Sequence, residues 1–419
     1  MRHRNFRLFF GGQSISLIGT WMTRLATSWL VYRLTGSALL LGIVGFVGQI
    51  PSFILAPLAG VLVDLVDRRK VLLWTQILAM LQSLALAWLT LSHRITIGEI
   101  LVLSALQGIV NAFDMPSRQS FMVKMVGDRA DLSNAIAINS SMANAARLIG
   151  PSLAGLLIAA TNEGWCFLVD GVSYIAVIVS LFLMRIEADD EPLPATSMLV
   201  QLREGWTYVS GFAPIRTILL LFALLSLMGW PFMVLMPVFA GQVLHGGAHT
   251  LGFLSGAVGV GSLASALSMV LRRSVRGLTK MIPFAAVIFG IGLIAFGFSH
   301  SFWLSMPLML ITGFGMMQGL TASNTIVQTL VEEKMRGRVM SYYTMAFVGM
   351  APFGSLLAGA MAHLLGAPHT VILSGVACIL GALWFWSQLA TIRRQMRPIY
   401  EQLGIVPRAD LAISEPAER

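Results

Sequence analysis

The chain has 419 residues, of which 56% are hydrophobic and only 11% charged, with a formal charge of +9. Soluble domains carry about 25% charged residues, so this composition excludes water as the main solvent of the fold. The basic residues form no patch interleaved with aromatics, which excludes nucleic acid as a partner and leaves the lipid bilayer.

A helix that crosses a hydrocarbon core of about 30 Å needs about 20 apolar residues. Apolar runs of that order fall at about 8–33, 38–64, 71–92, 98–122, 132–160, 164–186, 214–243, 250–272, 280–298, 301–330, 337–366 and 369–392. The pattern predicts an all-α integral membrane fold of twelve transmembrane helices. The first run follows the basic stretch Met1 to Arg7 and is too long for a cleaved signal, so it reads as a retained span. Prolines at 51, 57, 151, 231 and 237 fall inside runs, which membrane helices tolerate because neighbours re-satisfy the freed backbone groups.

Basic residues cluster in alternate loops. Arg2, Arg4 and Arg7 precede span one; Arg68, Arg69 and Lys70 follow span two; Lys124 and Arg129 follow span four. Arg185, Arg203 and Arg216 follow span six, Arg272, Arg273, Arg276 and Lys280 span eight, Lys334, Arg336 and Arg338 span ten, and Arg393, Arg394 and Arg397 span twelve. The opposite loops hold few cations besides Arg33 and Arg94, so both termini are expected in the cytoplasm.

The polar stretch from Glu187 to Pro214 separates six runs from six. It divides the chain into residues 1–190, a linker at 191–213, residues 214–395 and a tail at 396–419, the last expected to be disordered beyond Tyr400. Within the linker, Leu199, Leu202, Trp206 and Val209 recur at helical spacing, which predicts a short amphipathic helix on the cytoplasmic face. The halves also resemble each other: Gln107-Gly108 matches Gln318-Gly319, and Gly150-Pro-Ser-Leu-Ala-Gly155 matches Gly354-Ser-Leu-Leu-Ala-Gly359. Two six-helix bundles with pseudo-two-fold symmetry, around a site near the midplane, explain this; chance likeness among Gly- and Ala-rich helices is the other explanation.

Ionisable groups at membrane depth cost several kcal/mol unless paired or hydrated. Arg24, deep in span one, and Asp170, in span six, sit at similar depths and are expected to approach each other, as a static pair or as a gating or proton-linked one. Arg147 in span five has no acidic neighbour in sequence. Either it faces a hydrated cavity and attracts an anionic substrate group, or it caps carbonyls near Pro151 or snorkels. Asp114 and Arg118 are four apart on span four and share a helix face, the acid first as pairing prefers. Spans seven to twelve contain no acid, whereas Gln318, Asn324, Gln328, Tyr342, Tyr343 and Thr344 supply neutral hydrogen bonding there. Asn111 and Asn144 are the corresponding polar candidates for a cavity in the first half. Asp170 and Asp114 are therefore the candidates to carry protons.

The end of span two, Gly60-Val-Leu-Val-Asp64-Leu-Val-Asp-Arg68-Arg69-Lys70, resembles the loop signature of the major facilitator superfamily. Leu65 stands where a basic residue is common and Asp67 where Gly is common. That resemblance implies a conformational latch in which Asp114 meets Arg68 or Arg69, with Asp64 as a further coupling residue. Arg147-Leu-Ile-Gly150-Pro151-Ser-Leu-Ala-Gly155 is similar to the motif of its antiporters and exporters, with alanines at 137 and 146 in place of earlier glycines. The wording Gly19-Thr-Trp-Met-Thr-Arg-Leu-Ala26, Asn111-Ala-Phe-Asp-Met-Pro-Ser-Arg118 and Ala135-Ile-Ala-Ile-Asn-Ser-Ser141 resembles the enterobactin-exporter-like, transmembrane secretion effector group. The resemblance implies proton-driven efflux of an amphipathic small molecule, a siderophore, macrolide or other drug, by a monomer in the bacterial inner membrane. A lipid or lysophospholipid flippase of the same fold is the alternative, and a membrane-embedded enzyme or scaffold a third. No phosphate-gripping loop, metal-ligand pair, nucleophile elbow or carboxylate dyad stands in the sequence, so no cofactor, metal or catalytic residue is expected. Cys166 and Cys378 lie far apart in apolar runs and read as packing residues.

Overall fold

The computed structural model describes residues 4–126, 129–184, 198–272 and 274–405. The acidic part of the linker and the tail beyond 405 lie outside the described residues, as do the side chains of Asp64, Lys124, Arg129, Leu199 and Leu202. The described chain is helical throughout, because within hydrocarbon only a helix satisfies every backbone N–H and C=O inside its own segment. The first six helices are α1 (Arg4–Thr35), α2 (Ala38–Leu65), α3 (Arg68–Leu91), α4 (Ile97–Val126), α5 (Arg129–Ala160) and α6 (Glu163–Leu183). A shorter helix, α7 (Met198–Gly211), precedes α8 (Ala213–Leu224) and α9 (Phe232–Val238), and then come α10 (Ala248–Val270), α11 (Leu278–Phe298) and α12 (Phe302–Leu330). Two half-length helices, α13 (Glu333–Phe347) and α14 (Ala351–Leu365), and the long α15 (Ala367–Gln402) complete the chain.

Eleven of these helices or helix pairs are long and apolar enough to cross a membrane. The polypeptide is thus a multi-pass membrane protein. α1 has the length, with 32 residues, but Arg7, Arg24, Arg33 and several polar residues dilute its hydropathy. Large apolar side chains cover the outer surface, among them Trp74, Trp88, Phe182, Leu271 and Trp303. In water they would form an aggregating patch; against acyl chains they are the required contact surface.

Two runs that read as continuous in the sequence are broken. Between 213 and 243 the chain passes through π-helical turns at Leu225–Gly229 and Phe239–Val243, on either side of Pro231 and Pro237, which lack the N–H that would continue the ladder. Near 349 the chain leaves α13 and restarts as α14, whose first turn contains Pro352. Asp67, an odd residue for its loop signature, caps α3: its side chain accepts the Arg69 backbone N–H at 2.9 Å. Asn162 caps α6 in the same way.

α1–α6 pack mainly on one another, as do α8–α15, and the principal contacts between the two sets are α5 on α10 and α2 on α14. Both crossings are built on glycine. A Cβ on Gly155 would lie 2.7 Å from the Ala248 carbonyl oxygen and 2.8 Å from the Gly252 Cα. A Cβ on Gly359 would lie 2.9 Å from the Ala38 oxygen and 2.8 Å from the Gly42 Cα. Gly155 and Gly359 hold the same place in the two matched sequence segments, and Ala38 and Ala248 each open their helices. The segments alike in sequence therefore make like contacts. The crossings lie toward the end of the molecule away from the described chain ends, here called the distal end, and reach inward as far as Leu148 against Gly259 and Phe53 against Gly349.

α7 docks on α13 rather than lying free. Arg338 pairs with Glu204, the rings of Trp206 and Tyr342 lie 5.9 Å apart, and Val209 is buried.

Candidate functional site

The charged residues of the first six helices gather at three levels. At mid depth, beside Leu148 where α5 meets Gly259 of α10, the side chains of Arg24 and Arg147 converge on Trp21. The guanidinium carbon of Arg24 stands 4.9 Å from the centre of the Trp21 ring and that of Arg147 5.2 Å. Gly150 makes this possible: a Cβ there would lie 2.6 Å from the Trp21 Cβ and 2.9 Å from the Ile18 oxygen, so α5 approaches α1 only through glycine. Arg147, three residues earlier on the same face of α5, is thereby carried to the ring. A desolvated cation–π contact is worth about 2 kcal/mol. Against it, like charges within about 10 Å of each other repel by about 1–2 kcal/mol at an effective dielectric near 20. Arg24 is exposed. Arg147 is partly accessible, with its Nε buried and unpaired.

Arg24 also interacts electrostatically with Asp170, but the two form no ion pair within 4.0 Å, contrary to the close pairing expected from their depths. Instead, Ser83 on α3 donates to Asp170 Oδ2 at 2.6 Å. Tight α1–α6 packing holds the acid in place, since a Cβ on Gly19 would lie 2.7 Å from Asp170 Oδ1. That oxygen is buried with no donor in hydrogen-bond geometry, and the Thr23 hydroxyl, likewise without a bond of that geometry, is the donor nearest to the acid on that side.

Nearer the described chain ends, Asp114 is buried and fully engaged. Its Oδ1 accepts Gln76 Nε2 at 2.6 Å and Thr75 Oγ1 at 3.1 Å, and Oδ2 pairs with Arg118. The latch expected between Asp114 and Arg69 is not formed, because Arg69 donates to the carbonyls of Leu181 and Phe182 at the end of α6. Arg68 has an interaction partner as well. At the distal level Arg33 grips Glu163 with two bonds, of 2.7 and 3.0 Å, and Glu163 is buried in the first turn of α6, where the helix dipole favours an acid. This pair borders a recess of about 410 Å³ that also meets His93 and His249.

The polar cavity candidates fare unevenly. Asn144 lies one turn from Arg147 and is partly accessible, its amide donating to the Ser140 oxygen at 3.0 Å. Asn111 accepts Gln107 Nε2 at 3.1 Å. On α12, Gln328 donates to Asn324, and both remain accessible. Gln318 does not face a cavity between the helix sets: it is buried, accepting from Ser265 at 2.6 Å and Ser268 at 3.1 Å on α10. Tyr342 does not either, being held against Trp206 and Gly205 of α7. Trp21, Ser83, Thr75 and Gln76 went unmarked in the sequence reading. Only Trp21 left a usable signal, since it precedes Arg24 by three residues and so shares its helix face. Among the described residues no group of three or more His, Cys, Asp or Glu side chains is placed to hold a metal ion.

Comparison with known proteins agrees with this architecture. The chain is 25% identical over 381 residues to the staphyloferrin A transporter of Staphylococcus aureus, covering 91% of this chain and 95% of that one. It is 25% identical over 362 residues to the multidrug efflux pump Tap of Mycolicibacterium fortuitum, covering 84% and 88%. Among solved structures, a bacterial homologue of the human lysosomal transporter Spinster superposes with a TM-score of 0.72 at 12% identity, over 94% of this chain and 98% of that one, a likeness of fold. The profile of the transmembrane secretion effectors matches residues 1–400, and the chain belongs to that family of the major facilitator superfamily.

Proposed function

We propose that this protein is a secondary active transporter that expels an amphipathic small molecule, a siderophore, macrolide or other drug, in exchange for protons. It works by rocking residues 1–190 against residues 214–395. In this reading α1 is the twelfth span, the two halves are six-helix bundles related by a pseudo-two-fold axis, and the basic loops place both termini in the cytoplasm of a bacterial cell. The observation that carries it is the contrast between the distal end and mid depth. The two helix sets meet on glycine crossings toward the distal end, while Arg24, Arg147 and Asn144, nearer mid depth, stay accessible. Such an arrangement supports a binding site reached from one side at a time, with the distal side closed in this conformation. The names of the relatives, a siderophore transporter and a multidrug efflux pump, support the direction and the size of the cargo.

Asp170 is the better proton carrier of the two buried acids. One of its oxygens is unpaired, whereas both oxygens of Asp114 are bonded. Asp114 then serves as a fixed joint between α3 and α4. A lipid flippase has one feature in its favour, a crevice of about 440 Å³ whose lining includes Arg272, Phe284, Phe314 and Gln318. That crevice lies within the second helix set, away from the divide where alternating access would act.

The test is uptake into inverted membrane vesicles with an imposed acid interior. Accumulation of a siderophore or macrolide that collapses with a protonophore is the expected result. Accumulation of lysolipid indifferent to the gradient would favour the flippase, and no gradient-driven accumulation across the panel would overturn efflux.

A further inference from the structure

We propose that Arg24 and Arg147, held together over the Trp21 ring, form an anion clamp that binds a carboxylate group of the transported molecule. The inference rests on the efflux reading for what is carried, but the clamp itself is a matter of local charge and geometry. Two guanidinium groups share one aromatic ring at 4.9 and 5.2 Å. Among the described residues neither has an ion pair or a hydrogen-bond acceptor. The acidic groups that act on Arg24 from a distance are the Tyr174 phenol and Asp170, the latter already bonded to Ser83 at 2.6 Å. The site is therefore short of negative charge at membrane depth, where an uncompensated cation is costly.

Cation–π contact uses the charge of a guanidinium without consuming its N–H donors, so both forks remain available. Arg147 Nε is buried with no partner, and Arg24 is exposed. A planar, two-oxygen anion is the ligand that satisfies such forks bidentately, which a point-like cation site would not select. The clamp is also built rather than incidental, because the tight approach at Gly150 sets the distance between the ring and Arg147. Asn144, on the same face of α5, adds a neutral polar group beside it. Trp21 lies about 26 Å along α1 from its start, at a rise of about 1.5 Å per residue. That depth is remote from lipid headgroups, so the anion arrives on a cargo molecule.

The full chain in lipid nanodiscs, dialysed to equilibrium against dansylglycine or against its uncharged methyl ester, tests this. Wild-type protein is expected to bind the acid at least about tenfold tighter than the ester, the margin of one charge-assisted bidentate contact. Arg147→Gln and Arg24→Gln should each bring that ratio toward one, and Arg147→Lys, which keeps the charge and loses the fork, should fall between. The wild-type ratio needs no variant to be folded: a ratio near one, or no binding of the acid, overturns the clamp. A preference kept in full by both Gln variants overturns its location. Proton-driven vesicle efflux with a flat ratio removes the clamp alone, whereas an intact ratio without efflux removes the transport reading alone.

Discussion

The two glycine crossings make the distal closure open to a quantitative test. In Gly155→Ala the new methyl would sit 2.7 Å from the Ala248 oxygen and 2.8 Å from the Gly252 Cα, both backbone atoms unable to swing aside. Carbon atoms prefer about 3.5–4.0 Å, so α5 and α10 must separate by most of an ångström at this level. Overpacking of this kind costs about 1–3 kcal/mol. The gain of about 1 kcal/mol from replacing Gly by Ala within a helix accrues in both conformations and cancels from the equilibrium between them. The distally closed state should therefore lose ground by about 5- to 150-fold. Gly359→Ala meets the Gly42 Cα at the same 2.8 Å and should shift the balance equally, and the two changes should add because the crossings share no partner. Spin labels on Ala159→Cys and His249→Cys, both exposed across the distal recess, report the separation by electron–electron resonance in nanodiscs. A longer distance population is expected in each variant, and Gly11→Ala, whose Cβ would meet nothing within 4 Å, should leave the distribution unchanged. Unchanged distances in both crossing variants, or an equal effect from Gly11→Ala, would refute the steric argument.

Glu163→Gln keeps shape but removes the charge that answers Arg33; with Arg33 half exposed, the loss should be about 1–2 kcal/mol, read as a lower midpoint of thermal unfolding in detergent. Asp170→Asn should abolish gradient-driven transport while leaving counterflow exchange, and loss of both would mark Asp170 as structural. Asp114→Asn leaves Arg118 facing an amide in a buried site, so it should reduce stability by about 3–5 kcal/mol, visible as poor recovery of folded protein on size exclusion. Cys166 and Cys378 are both buried, so a polar maleimide should label neither until the protein is unfolded; rapid labelling of either would contradict the packing.

Much of the architecture was legible because solvent choice is a sum over composition. Runs of apolar residues become lipid-spanning helices whatever their neighbours do, and eleven of the twelve runs stand as apolar helices of sufficient length. The breaks within 213–243 and near 349 coincide with Pro231, Pro237 and Pro352, visible in sequence but ambiguous there, since Pro151 sits inside an unbroken α5. The site was legible residue by residue but not pair by pair. Arg24, Arg147, Asp170 and Asp114 are conspicuous as charges in apolar runs, yet of the partners they take only Trp21, three residues before Arg24, leaves a signal, while Ser83, Thr75 and Gln76 are ordinary residues with no mark in a single sequence. Gln318 misled because a polar residue in an apolar run looks the same whether it faces a cavity or two serines of the next helix.

By itself, the sequence decided that lipid surrounds this chain, where its apolar helices run and which charges demand an explanation at depth. These follow from local composition and from the cost of taking charge out of water. Only the tertiary structure decided which helix faces meet and hence which charges are answered. Helix rotation and crossing are set by contacts such as Gly155 on Gly252 and Gly150 on Trp21, between residues about a hundred or more apart in the chain, where steric fit and not composition selects the partner.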